Sequence, residues 1–62
     1  MHNTTKIVER AREALSEGKV VLILTSSAMQ DRSLREELPS ESLHFARKLD
    51  NGRHYDLVLD DR

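Results

Sequence analysis

A chain of 62 residues with no cysteine has room for one small core, and neither a disulfide framework nor a thiolate zinc site to staple it. Charged residues make up 34% of the sequence yet cancel to a net −1, which describes a solvated globular surface and excludes a strongly basic or acidic tail. A single domain over residues 1–62 is expected, frayed at 1–4 and 60–62.

Thr4 or Thr5 opens the first element. Ile7, Val8, Ala11, Ala14 and Leu15 fall on one stripe of a 3.6-residue period, with Lys6, Glu9, Arg10, Arg12, Glu13 and Glu17 on the other side. Gly18 supplies the left-handed residue that commonly ends a helix. An amphipathic helix is predicted here.

"KVVLILTSS" follows at once. A run of β-branched residues and leucine between a glycine and a Thr-Ser-Ser stop reads as a strand. It does not alternate: Val21 and Ile23 point one way, and Val20, Leu22 and Leu24 the other. A strand apolar on both faces wants cover on both faces. The run is far too short for a bilayer, which needs about 20 apolar residues. With no targeting pattern in view, no membrane and a cytoplasmic location are expected.

Next comes "SSAMQDRSLREELPSES". Ser27 with Gln30, and Ser33 with Glu36, have capping-box spacing. Met29, Leu34 and Leu38 are the large apolar residues, and Pro39 ends whatever helix forms. A short, weakly anchored helix around residues 28–38 is predicted.

"LHFARKLDNGRHYDLVL", residues 43–59, admits two readings. Ser40 as N-cap, an apolar stripe of Phe45, Ala46 and Leu49, and Gly52 past the end would make a helix. Asp50 and Asn51 are poor helix formers, however. Asp-Asn-Gly between alternating runs is a hairpin signal. A three-residue loop pairs Leu49 with Arg53, Phe45 with Leu57 and Leu43 with Leu59, with Gly52 left-handed in a bulge. Leu43, Phe45, Leu49, Tyr55, Leu57 and Leu59 then share one face, opposite His44, Ala46, Lys48, His54, Asp56 and Val58. That segregation favours the hairpin. The fold expected is therefore α+β: helix, strand, short helix and β-hairpin, with the first helix on a three-stranded antiparallel or mixed sheet.

No motif carries chemistry. His44 and His54 lack a third ligand, and Thr25-Ser26-Ser27 lacks the glycine that lets a phosphate approach a strand-to-helix turn. Asp60 and Asp61, with Glu41, read as a solvating terminus rather than a cation site. No enzyme activity, cofactor or metal is expected. "VVLILTSS" and "YDLVLDD" each resemble strands of doubly wound regulatory domains such as response-regulator receivers. They stand in the wrong order for that family and lack its intervening helices, so no family is assigned.

The leading expectation is a small non-enzymatic module that binds a larger protein or complex as inhibitor or adaptor. Phage- and plasmid-type accessory proteins fall in this size class. Val20, Leu22 and Leu24 with Met29 and Leu34 would form its apolar surface, and Glu36 and Glu37, close to Glu41, Asp60 and Asp61, an acidic one. Arg47, Lys48, Arg53 and His54 make the hairpin tip basic, and the alternative is a small nucleic-acid-binding regulator using that tip. Since one helix covers one face of the first strand, the other face is expected to meet a second copy, giving a homodimer.

Overall fold

In the computed structural model, which describes residues 4–49 and 52–62, the chain forms α1 (Thr4–Ser16), β1 (Val21–Leu24), α2 (Ala28–Glu37), β2 (Leu43–Ala46) and β3 (Leu57–Asp60). The mixture of helix and strand is the one expected. No helix among the described residues is long and apolar enough to cross a membrane.

α1 follows its stripe. Ala11 and Ala14 are buried, and Ile7, Val8 and Leu15 pack against the same core. Gly18 has φ +81°, the conformation foreseen for it. Ser27 caps α2 by accepting a hydrogen bond at Oγ from the Gln30 backbone N–H at 3.2 Å. The Gln30 side chain turns back to accept from the Ser26 N–H at 2.8 Å, one residue earlier than a capping box requires. Leu34 and Leu38 are buried, so α2 is firmly anchored, contrary to the weak anchoring expected of it. Arg35 then ties its exit, donating to the carbonyls of Ser40 at 2.6 Å and Leu43 at 2.9 Å and lying over the Phe45 ring.

The sheet corrects the sequence reading. Its order is β2-β1-β3, and both pairings are parallel: Val21 stands beside Leu43 and Leu57, and Ile23 beside Phe45 and Leu59. Residues 43–59 are not a hairpin, and the pairs Leu43–Leu59 and Phe45–Leu57 are not made. The foreseen turn at Asp50-Asn51 lies outside the described residues, as does the φ of Gly52, which depends on Asn51.

The physical reason lies in β1. All four of its residues are buried, so it belongs at the centre of a sheet with cover above and below. A hairpin would join β2 to β3 and leave β1 at an edge. Parallel pairing instead puts β1 between them. Asp56 helps to fix this, accepting from the Val20 N–H at 2.8 Å while its own N–H donates to the Val20 carbonyl at 2.9 Å.

The two faces of β1 are covered by different parts of the chain. Val21 and Ile23 join Ala11, Ala14, Leu34, Leu38, Leu43 and Leu59 in one core, so both helices lie on that face. Leu22 and Leu24 point to the opposite face, level with His44 and Val58, and with Ala46 and Asp60. They are 1% and 5% exposed. On that side the Tyr55 ring, from the stretch before β3, has its centroid 5.9 Å from that of His44 in β2. Tyr55, expected in the core beside Phe45, is therefore on the other side of the sheet. With β2 and β3 on opposite sides of β1, two crossovers of the same hand must use opposite faces, which is the observed arrangement.

Two substitutions separate the parallel sheet from the hairpin. Leu49, a core residue in the hairpin register, is 54% exposed, so Leu49→Ala should cost under about 1 kcal/mol in urea unfolding. Leu22→Ala should cost about 2–5 kcal/mol and leave little folded protein. Gly18→Ala tests the left-handed turn separately. An added Cβ meets nothing within 4 Å, so the expected loss is the backbone term alone, about 1–2 kcal/mol.

Candidate functional site

Two features of the surface could carry function, at different places in the fold. The first is the carboxyl end of the parallel sheet, where open sheets of this kind bind ligands. Thr25 follows β1 fully buried, and Asp61 follows β3 at 1% exposure. Thr4 Oγ1 donates to the Asp61 carboxylate at 3.2 Å. Gln30 Nε2 donates to the Asp61 backbone carbonyl at 2.6 Å and to its Oδ2 at 2.8 Å. Thr4 belongs to the first turn of α1 and Gln30 to the first turn of α2. The carboxylate therefore sits between two helix starts, whose dipoles favour a negative charge.

Next to it, Thr25 Oγ1 donates to Asp31. Arg47 Nη1 reaches Thr25 Oγ1 at 2.7 Å and Asp31 Oδ2 at 3.1 Å. Arg62 completes this end, held by Asp60 through a hydrogen bond and its charge, which push the guanidinium pKa up. These polar groups satisfy one another across four segments of chain. Their geometry is that of a latch: it closes the end of the sheet and joins α1, α2 and β3.

The second feature is a groove of about 920 Å³ between α1 and α2. Both helices begin at Asp61, and further along Arg12 Nη2 is 3.9 Å from Glu37 Oε2, so they run side by side in the same direction. Each contributes one stripe to the groove, Val8, Glu9 and Arg12 from α1 and Met29, Ser33 and Glu37 among those from α2. Met29 is 80% exposed.

The residues singled out in the sequence scatter over these places. Leu22, Leu24 and Leu34 are buried within the chain, and Val20 is half-buried. Met29, Glu36 and Glu37 come together in the helix groove. Arg47 belongs to the latch, and Lys48, Arg53 and His54 are exposed on the β2–β3 connection. Glu36 and Glu37 do not join Asp60 and Asp61, because α2 starts at the carboxyl end of β1 and finishes at the other. Asp61, read from the sequence as a solvating terminus, is buried and bonded instead. A signal was present: after an alternating strand, the residue that follows still has a defined face. Among the described residues no cluster of metal-ligating side chains forms. Compared with known protein families, curated proteins and solved structures, the chain matches none.

The latch makes a stability prediction. Asp61→Ala leaves Thr4 without its acceptor and Gln30 with only one of its two, and should lower unfolding stability by about 1–3 kcal/mol. Asp61→Asn keeps an acceptor oxygen and should lose less. An alanine variant within about 0.5 kcal/mol of the parent in urea titration would show that the latch is ornamental.

Proposed function

We propose that this chain is a non-enzymatic protein-interaction module, an inhibitor or adaptor that works by occupying the surface of a larger partner. A cytoplasmic site of action belongs to the same proposal, as does membership of the phage- or plasmid-type accessory class. The observation that carries it is the groove between α1 and α2 with Met29 standing open in it. Met29 is the most exposed large apolar residue among those described, ahead of Leu49 and Val58, and its place on a concave helical surface supports reading it as an anchor. The non-enzymatic part rests on the carboxyl end of the sheet, where Thr25, Asp31 and Arg47 are engaged with one another and Asp61 with Thr4 and Gln30.

The nucleic-acid alternative keeps its exposed Lys48, Arg53 and His54 but loses the two-stranded ribbon that would have entered a groove. The homodimer loses its original premise, since Leu22 and Leu24 are covered within one chain. For self-association the described residues leave the outer edges of β2 and β3, each paired on one side alone.

The test is affinity capture from host lysate, followed by identification of the retained protein and reconstitution of the complex from two purified components. A stoichiometric complex that persists in moderate salt is expected. Retention of nucleic acid alone, lost steeply as salt rises, would establish the regulator reading in its place.

A further inference from the structure

We propose that the α1–α2 groove receives a basic amphipathic helix of the partner protein, seated by one large apolar side chain against Met29. This rests on the interaction-module reading and specifies its site and the chemistry of its partner. Charge is the first argument. The groove carries three carboxylates, Glu9, Glu36 and Glu37, against the single guanidinium of Arg12, a net −2. The cations of α2 lie elsewhere on the helix: Arg35 is engaged with the Ser40 and Leu43 carbonyls, and neither it nor Arg32 lines the groove.

A local conflict is the second argument. Glu36 and Glu37 share the last turn of α2 with Arg35, so two carboxylates against one guanidinium stand where the helix dipole disfavours negative charge. The contact from Arg12 to Glu37 at 3.9 Å, between side chains 59% and 64% exposed, offsets little of this. Lysines or arginines brought by a partner would relieve both the dipole and the mutual repulsion of the carboxylates. Rules of local consistency are commonly broken where function requires it.

Shape is the third. Two parallel helices with small polar residues between them, Ser27 and Ser33 among them, leave a trough into which a third helix can settle on its apolar stripe. Met29 stands at its upper end, and a thioether on an unbranched chain adapts to varied apolar anchors. A second copy is a poor occupant, because a two-fold contact through this groove would bring together two patches that each carry a net −2. Nucleic acid is repelled by the same acids.

Fluorescence anisotropy of the full chain with labelled synthetic helices provides the test. The probe is a peptide of Leu/Lys heptads with leucine on one face, and its control has glutamate in place of every lysine. Selective binding of the Leu/Lys peptide is expected, weakening with salt. Met29→Asp, and Glu36→Lys combined with Glu37→Lys, should each reduce affinity at least about tenfold, with unchanged circular dichroism because the altered side chains are exposed. Glu17→Lys with Glu41→Lys, two exposed acids outside the groove, should leave affinity within about twofold. Equal binding of the Leu/Glu peptide would overturn the proposal. So would equal losses from the two charge-reversed pairs, since attraction would then be diffuse. If the groove variants still capture the same partner from lysate as the parent chain, the groove assignment falls while the module reading stands.

Discussion

Everything in this fold depends on β1 being apolar on both faces. Four consecutive buried residues cannot lie at the rim of a layer, so the strand takes the centre, with neighbours on both sides and cover above and below. The helices supply one layer through Ala11, Ala14, Leu34 and Leu38. On the other side lies Tyr55, ahead of β3, with its ring near His44 of β2.

The same geometry brings the starts of both helices to the carboxyl end of the strands. Two positive dipole ends meet there, and the protein places its own carboxylate, Asp61, between them. Thr4 and Gln30 complete the solvation of that charge, while Thr25, Asp31 and Arg47 form a second, adjoining set. The opposite helix ends are then both negative, and α2 adds Glu36 and Glu37 to that end. An internally neutralised pole and an exposed acidic flank thus follow from one winding of the chain.

Much of the candidate site was legible only as composition. The sequence placed Met29 with Leu34 in one apolar surface and Glu36 with Glu37 in an acidic one; the structure separates the first two, burying Leu34 and leaving Met29 exposed. The association of Met29, Glu36 and Glu37 with Val8, Glu9 and Arg12 of α1 was not legible, since it depends on how the two helices lie against one sheet face. Asp61 was misjudged for a related reason. Nearness to the chain's end suggests exposure, but a strand that pairs up to Asp60 carries the next residue into the space between the helices.

The sequence by itself determined which residues of the regular elements face inward, though it misplaced Leu49 and Tyr55 on the connection. The 3.6-residue stripe of α1, the Ser27 cap, the left-handed Gly18 and the alternation of Leu43, Phe45, Leu57 and Leu59 are local facts, and the structure keeps each of them. "VVLILTSS" and "YDLVLDD", set aside as standing in the wrong order, do lie side by side and parallel. Tertiary structure alone decided the partners. A period of two assigns faces identically whether a strand pairs parallel or antiparallel, so the alternation that argued for a hairpin fits the parallel sheet equally well. The choice rests on the fully buried β1. A central place for it gains two ladders and cover on both faces, and the local turn signal at Asp-Asn-Gly cannot match that gain.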